Sequence, residues 1–448
     1  MIKIQNVFRF AIYICKKNKM RRYLFLMVWL IATCVSSSAQ MVKHSLDYYV
    51  SKALENSPLL MDEHNQTSIL DNEKLYLRNV YTHAQTLLTG NYLFVPIVET
   101  DHGKTSFKWN AQSGSNYYGY DLGVSNGNLQ YGVTWTKPLL GKSVYQAAES
   151  QINVQRDMLK NNIRLNRHDI ERNVIDQYVL CMLDRDQIDF ADTISRILAT
   201  QADLITRLAY AGQAKQSDIQ MIIIEQKANN ETKASCMQSY RNHLMELNAL
   251  CCIRDTTTAD IEKTKITKSV EIGVSQFLTK YNLDSINAIT SQKIYETKYK
   301  PQLNMFTNFG LQTTNYSSMY KNFGLSAGVT FSMLISDGKL KRIKQRETDA
   351  ALSSISIYKN NLVTQNEIHR IQCSEAVDDY DTRIHILETQ ITEYGRLLDI
   401  CQKEIRVGQM SVFDYITTLK NMISVRQQKL TVEANRQLAV NAYNYYNW

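Results

Sequence analysis

Residues 211–219 read AGQAKQSDI and residues 407–415 read VGQMSVFDY, and these two stretches decide the fold. In both, a Gly-Gln pair is followed by an aspartate six positions after the glycine, and the two glycines lie 196 positions apart. A second landmark has the same offset, because GVTW at 132–135 is matched by GVTF at 328–331. Two unlike motifs that share one spacing predict a chain built from two tandem repeats.

Proline and glycine are spaced as in a chain of long helices. Residues 139–300 and 302–448 contain no proline, and no glycine lies between Gly141 and Gly212. Because both residue types interrupt helices, these stretches predict helices of unusual length. The predicted helices cover residues 44–56, 59–88, 142–210, 218–252, 276–299, 339–407 and 411–445. A helix of roughly 35–70 residues would be about 50–100 Å long, so such helices must pack against one another.

Three segments alternate apolar and polar residues with the period of two that is typical of β-strands. They are residues 129–137, 302–312 and 323–335, and we expect a partner for the first of them within residues 91–120. One apolar and one polar face over about ten residues fits the strands of an outer-membrane barrel. The same alternation also fits hairpins packed on a water-soluble core.

The number of strands constrains the membrane interpretation. About four strands cannot close on themselves, and lipid does not tolerate open sheet edges. The smallest membrane barrels have about eight strands. If these strands span a membrane, several chains must contribute, and three copies would supply about twelve strands.

The N-terminus has the order of a secretory signal. Five basic residues at 16–22 precede an apolar run at 23–35, and small residues at 37–39 permit cleavage before Gln40. A signal peptide is therefore expected at 1–39, whether translation starts at the first methionine or at Met20. A single-span membrane anchor is the alternative, although the apolar run is short for a bilayer helix.

The excess of positive charge belongs to this leader. The full chain has 51 Lys and Arg against 43 Asp and Glu, a formal net charge of +8. Residues 1–39 hold seven of the basic residues and no acidic residue, so their removal leaves 44 basic against 43 acidic residues. A nearly neutral chain does not fit a nucleic-acid-binding protein, and we expect no nucleic-acid partner.

Cysteine and histidine form no catalytic or metal-binding pattern. Six cysteines follow the leader, and none stands in a CxxC pair that would suggest zinc. They are interpreted as mostly buried small apolar residues, with pairing after export left open. His44, His64, His83 and His102 are scattered and accompany no nucleophile motif. We therefore expect no cofactor and no resident metal, and interpret the chain as not an enzyme.

Several motifs, taken in order, resemble the TolC-like outer-membrane efflux proteins over nearly all of the chain after residue 39. They are ALENSP at 53–58, KPQL at 300–303 entering a strand, GVTF at 328–331 leading to Asp337-Gly338, and the two Gly-x5-Asp turns. The resemblance implies a homotrimer, with twelve strands in the outer membrane of a Gram-negative cell and twelve helices forming a tunnel across the periplasm. It implies as partners a periplasmic adaptor (membrane fusion) protein, an inner-membrane pump of RND or ABC type, and outer-membrane lipid.

The implied fold class is an α+β membrane protein. Long α-helical hairpins would form a periplasmic barrel, and about four strands per chain would join a trans-subunit outer-membrane β-barrel, in two tandem repeats. The expected domains are the signal peptide 1–39; a first repeat 40–252, with a strand hairpin at about 91–137 and a helical hairpin at 142–252; a linker 253–275; and a second repeat 276–448, with a strand hairpin at 301–337 and a helical hairpin at 339–448.

The resemblance places the two Gly-to-Asp turns at the periplasmic tips of the helical hairpins, where they meet the adaptor and constrict the closed pore. It implies adaptor contacts at Gly212, Gln213, Ser217, Gly408, Gln409 and Ser411, and a pore aperture at Asp218, Asp414 and Arg406. From the residues themselves, glycine suits a chain reversal at positive φ, and aspartate or serine suits the cap of the returning helix. Capping is the plainer interpretation of Ser217 and Asp218. Three copies of Asp414 around an axis would form an acidic ring that favours cations.

Three positions depart from the family's pattern. The family's strongly cation-selective members carry a second acid three residues beyond the second aspartate, where this chain has Thr417. The tyrosine and arginine that latch the closed tip would fall at Ile405 and Met410. Arg406 is the nearest candidate for a rebuilt latch.

These observations together predict the outer-membrane channel of a tripartite efflux or export system, a passive trimeric conduit gated at the hairpin tips. One alternative keeps the fold but exports protein by a type I secretion route. Another, from a different class, is a periplasmic coiled-coil adaptor or scaffold, which would have a single helical hairpin flanked by soluble β-domains.

Overall fold

In a computed structural model, each half of the chain contributes two long helices and two strands of a shared sheet. The structure describes residues 43–92, 97–108, 129–212, 214–255, 259–270, 273, 275–313, 320–321, 323–407 and 409–448. The predicted signal peptide lies outside these residues.

The four long helices, α4, α5, α7 and α8, agree closely with the lengths predicted from proline and glycine. They are α1 (Leu46–Asn56), α2 (Pro58–Met61), α3 (Glu63–Thr82), α4 (Lys142–Tyr210), α5 (Gln216–Leu250), α6 (Leu278–Glu296, continued by a 3₁₀ turn at Thr297–Tyr299), α7 (Leu340–Arg406) and α8 (Val412–Tyr446). The strands are β1 (Lys43–His44), β2 (Gln85–Tyr92), β3 (Ile97–Asp101), β4 (Lys104–Lys108), β5 (Leu129–Pro138), β6 (Asp260–Ile261), β7 (Gln302–Thr313) and β8 (Phe323–Ser332). With 69 and 67 residues, α4 and α7 are each about 100 Å long.

Four strands form an antiparallel sheet in the order β2-β5-β7-β8. The β5–β7 pair joins the strands of the two halves. At this seam Gly132 lies opposite Gly310, and a Cβ on Gly310 would overlap the Tyr131 carbonyl oxygen, so the close approach requires glycine. Within the described residues, β2 and β8 are each paired on one side only and form the edges of the sheet.

The register places apolar residues of all four strands on one face of the sheet. One row across the strands consists of Leu88, Val133, Phe309 and Leu325, which are 38–79% exposed. The adjacent row on the opposite face consists of Leu87, Thr134, Asn308 and Ser326. The sheet therefore has an apolar face that this chain leaves uncovered and a mostly polar face behind it.

The long helices pair as two hairpins, α4 with α5 and α7 with α8. Their apolar residues meet in two clusters, as helix periodicity requires. One cluster joins α1, α4, α5 and β6 around Tyr178, whose hydroxyl donates to the carbonyl oxygens of His44 and Glu262. The other joins all four long helices close to the hairpin turns. Over the described residues, no helix has an apolar stretch sufficient to cross a bilayer.

The segment between α1 and β5 differs from the prediction. The single helix predicted at 59–88 is two helices, α2 and α3, and α3 ends at Thr82. β2 begins at Gln85, ahead of the range expected to hold the first strand. The adjacent pair Leu87-Leu88 breaks the alternation on which the strand prediction relied. A short hairpin, β3–β4, occupies part of the connection from β2 to β5, with positive φ at both turn residues, His102 and Gly103.

Candidate functional site at the two helical hairpin tips

The first tip connects α4 to α5. Gly212 follows the end of α4 with φ = 73°, the left-handed conformation in which glycine reverses a chain at low cost. The Asp218 carboxylate accepts the Lys215 backbone N–H at 2.8 Å, and the Asp218 N–H bonds to the Lys215 carbonyl oxygen at 3.0 Å. Asp218 therefore caps α5. Ser217, for which capping was also predicted, is exposed within the first turn of the helix.

The second tip connects α7 to α8 and is capped differently. Ser411 is the N-cap of α8, because its Oγ accepts the Asp414 N–H at 3.2 Å. The same hydroxyl donates to the Asp414 carboxylate at 2.6 Å. The Gln409 N–H bonds back to the Glu404 carbonyl oxygen at 2.9 Å and tightens the turn. Ser411 thus caps α8 from the N-cap position, whereas Asp218 caps α5 from inside its first turn.

Part of each turn lies outside the described residues. Gln213 and Gly408 are not among them, and Arg406 is described only through its backbone, as the last residue of α7. The roles expected for these three residues stay predictions.

One hydrophobic cluster holds the two tips at the same end of the molecule. Ile222, one turn beyond Asp218, and Val412, two residues before Asp414, are both buried in it. At the surface, Lys420 Nζ of α8 lies 3.0 Å from a carboxylate oxygen of Glu225 on α5. The structure therefore brings the two predicted aperture aspartates together at one end, each in the first turn of a returning helix.

The two aspartates differ in exposure. Asp218 is half-buried and Asp414 is exposed. Within the described part of the chain, the only side-chain contacts of the two carboxylates are the caps given above, and neither has a cationic partner. Each negative charge lies at the positive end of its own helix dipole, which stabilises it without a counter-ion.

Three large apolar side chains at the tips are exposed. They are Tyr210 (90%), Val407 (67%) and Phe413 (59%). Sequence reasoning selected glycine and polar residues at the turns and missed this set, although each member lies within two residues of a turn glycine or aspartate.

Solved structures of channels resemble this chain over nearly its whole length. The transmembrane channel protein CusC matches with a TM-score of 0.67 over 91% of this chain and 92% of its own, at 9% identity. The outer membrane protein VceC of Vibrio cholerae matches with a TM-score of 0.64 over 90% and 95%, at 11% identity. The open-state outer membrane channel MtrE of Neisseria gonorrhoeae also gives 0.64, over 90% and 88%, at 12% identity.

The chain has the TolC-like outer-membrane-channel fold. The sequence itself matches no family model and no curated protein. At identities this low the likeness concerns the fold alone, so the side chains at the tips have to be interpreted from this chain.

The two positions where the resemblance would place a latch carry apolar residues. Ile405 is buried in the tip cluster and Met410 packs against it, so both contribute hydrophobic packing. Thr417 donates its hydroxyl to the Phe413 carbonyl oxygen at 2.9 Å and supplies no second acidic group. Acidic charge in the first turns of the returning helices therefore rests on Asp218 and Asp414.

The described residues contain neither a cluster of metal ligands nor a disulfide. No group of three or more potential metal ligands occurs among them. The six cysteines among the described residues are free thiols, and Cys181, Cys251 and Cys401 are buried. Burial raises the pKa of the Cys251 thiol to about 12, which keeps it protonated and unreactive near neutral pH.

Proposed function

We propose that this chain is the outer-membrane channel of a tripartite efflux or export system. Three copies would form a passive conduit from the periplasm through the outer membrane of a Gram-negative cell. The fold supports the proposal, because solved structures with the same fold include outer membrane channels.

The observation that carries the proposal is the sheet. Its apolar face is uncovered, and its edge strands β2 and β8 each have one unpaired side within the described residues. Lipid would accept the apolar face but not the open edges. Joining β2 of one copy to β8 of the next removes every edge, and three copies then give a closed barrel of about twelve strands.

The helix α7 supports the same assembly. Six apolar side chains along it are 44–64% exposed: Ile357, Ile368, Ile371, Ile386, Leu397 and Ile400. Successive members are 11, 3, 15, 11 and 3 positions apart, spacings that return to one face of a helix. We call this set the α7 stripe, and it would pack against a neighbouring copy in the helical tunnel.

The hairpin tips would form the periplasmic aperture. Three copies would bring six carboxylates, from Asp218 and Asp414, around the axis, and acidic rings favour cations. The adaptor would contact the turns, including Gly212 and Gln409, through the exposed side chains of Tyr210, Val407 and Phe413. Opening would separate the tips, which the shared tip cluster holds together in the single chain.

The alternatives differ in how they fit this architecture. A scaffold would have one helical hairpin flanked by soluble β-domains, whereas the described residues form two helical hairpins and one shared four-stranded sheet. The alternative of type I protein export keeps the same fold. The channel does not distinguish it from small-molecule efflux, because the pump and the adaptor would select the cargo.

The proposal is tested by single-channel recording in a planar bilayer, with the mass of the purified oligomer measured on the same sample. We expect a trimer that inserts and conducts in discrete steps, with a small closed-state conductance that rises in Asp218→Ala or Asp414→Ala. A monomer that never inserts would overturn the channel proposal and favour the scaffold.

A further inference from the structure

Basic residues are concentrated where the sheet meets the helices. Three of the four junctions between the sheet and the helices, taken with the adjoining strand and helix residues at 137–142, 297–300 and 333–346, contain nine basic residues and one acidic residue. The nine are Lys137, Lys142, Lys298, Lys300, Lys339, Lys341, Arg342, Lys344 and Arg346, and we call them the basic belt. Eight of the nine are exposed, and Lys344 is half-buried. The near-neutral charge of residues 40–448, with 44 basic against 43 acidic residues, conceals this local excess.

The strand register shows that the belt lies at one end of the sheet. Pro138, at the end of β5, is opposite Asn304 near the start of β7, and Gln302 is opposite Ser332 at the end of β8. The three connections therefore leave the sheet at the same level. If the apolar face lies in a bilayer, this level is the boundary between lipid and the helical body.

The acidic groups near the belt are already engaged. Asp337, the one acid within the three segments, accepts the N–H groups of Lys339 and Lys341 at 2.9 and 2.7 Å and caps α7. Glu296 and Glu347 pair with Lys341 and Lys344 at 3.8 and 2.8 Å. Over the described residues, the side chains of Lys339, Arg342 and Arg346 have no carboxylate partner.

The positions of these charges are unfavourable for the helix itself. Lys341, Arg342, Lys344 and Arg346 occupy the first two turns of α7, where the helix dipole disfavours positive charge. An external anion at this level would offset both the dipole and the mutual repulsion of the basic groups.

Apolar side chains accompany the basic groups and indicate the kind of anion. Leu334, Ile335, Leu340 and Ile343 are 43–92% exposed at the β8–α7 connection. A cavity of about 450 Å³ opens beside Lys298, with Tyr81, Leu140 and Pro301 among its lining residues. Exposed apolar groups interleaved with lysine and arginine suit the boundary between acyl chains and headgroups.

We propose that the basic belt binds the phosphate groups of anionic phospholipids in the leaflet adjoining the helical body. The belt thereby fixes the depth of the sheet in the membrane, with the acyl chains against the apolar side chains of the same level. This proposal rests on the proposed insertion of the sheet into the outer membrane.

The test uses the full chain purified in detergent and titrated separately with dioleoyl phosphatidylglycerol and dioleoyl phosphatidylcholine. Bound lipids are counted by native mass spectrometry, and thermal stability is recorded at low and high salt. We expect tighter binding of the anionic lipid, weakened by salt. In Lys339→Gln/Arg342→Gln/Arg346→Gln, affinity for the anionic lipid should fall by about fivefold for each charge removed, while affinity for the zwitterionic lipid stays the same.

A matched control removes the same charges elsewhere. Lys227, Arg241 and Arg254 are exposed and lie on or just after α5. Lys227→Gln/Arg241→Gln/Arg254→Gln should retain the wild-type lipid preference. Equal loss in the control and the belt variant would overturn the proposal.

The lipid titration of the wild-type chain tests the proposal even if the belt variant fails to fold. Equal affinity for the two lipids, or the same stabilisation by about 10 mM inorganic phosphate alone, would overturn the lipid assignment. Failure to insert into vesicles of either lipid would instead overturn the proposed channel. Insertion into both with no lipid preference would leave the channel standing and remove the belt proposal alone.

Discussion

The helices α4 and α7 are nearly equal in length but are covered very differently by their own chain. Sixteen residues of α4 are buried, whereas the buried apolar residues of α7 are Val377, Leu387, Cys401 and Ile405. α4 packs against α3, α5, α6 and α8, while α7 packs mainly on α6 and α8 and leaves the α7 stripe exposed. In the proposed trimer, the uncovered apolar stripe of this helix of about 100 Å would pack on another copy.

The largest expected effect comes from placing charge on the α7 stripe. Ile368→Lys/Ile371→Lys should abolish the trimer, because each interface would have to bury uncompensated ammonium groups. Helix content by circular dichroism should stay unchanged, since both side chains are exposed in the single chain. The control Gln365→Lys/Gln372→Lys changes exposed polar residues beside the stripe and should remain trimeric by mass measurement.

A second comparison makes the same change, isoleucine to alanine, once in α4 and once in α7. Ile194→Ala removes a buried side chain of α4 and should cost about 2–5 kcal/mol of folding stability, whatever the protein concentration. Ile386→Ala removes a stripe residue of α7, and its effect on the melting temperature should depend on protein concentration, because the lost contacts lie between copies. If the loss in melting temperature were independent of protein concentration for both variants, the contacts of Ile386 would lie within one chain, which would contradict the proposed role of the α7 stripe.

A third comparison concerns the helix caps of the two hairpin tips. Asp218→Ala should cost about 1 kcal/mol, because the Lys215 N–H loses its acceptor. Asp414→Ala should cost less, since Ser411 remains as the N-cap of α8. Thermal melts of the two variants measure the difference, and a larger loss for Asp414→Ala would contradict these capping assignments.

The smallest expected effect concerns an ion pair within the second hairpin. Arg436 donates two hydrogen bonds to Asp381, and this contact lowers the pKa of the Asp381 carboxyl. A lowered folded-state pKa contributes stability that is present above the unfolded value of about 4 and lost as pH falls through the folded value. Arg436→Gln should therefore destabilise by about 0.2–1 kcal/mol at pH 7 and by progressively less below about pH 4. Melts of wild type and variant across that range provide the check.

Local sequence signals predicted the elements that depend on local chemistry. The absence of proline and glycine predicted the uninterrupted α4, and strict alternation predicted β5 and β7 within one or two residues. The Gly-Gln pair predicted the turn at Gly212, because this turn needs a positive φ, which glycine adopts at low cost. The tandem duplication itself stays a prediction.

The features that were missed depend on neighbours distant in sequence. β2 is held by its pairing with β5 although Leu87 and Leu88 interrupt its alternation. The exposure of Tyr210 and Phe413 follows from how four helices meet at the tips. The basic belt escaped notice because a whole-chain charge averages over segments that only the strand register brings to one level.

The most direct test of the proposed aperture is the reversal potential of the channel under a KCl gradient, for wild type and for Asp218→Asn/Asp414→Asn. Asparagine keeps a side-chain acceptor for both caps while removing the charge, so folding and insertion should be retained. We predict a cation-selective wild type and a variant whose selectivity is largely lost. An equally selective variant would contradict the claim that these aspartates line the pore, and would leave Asp218 as a helix cap and Asp414 as the acceptor of the Ser411 hydroxyl.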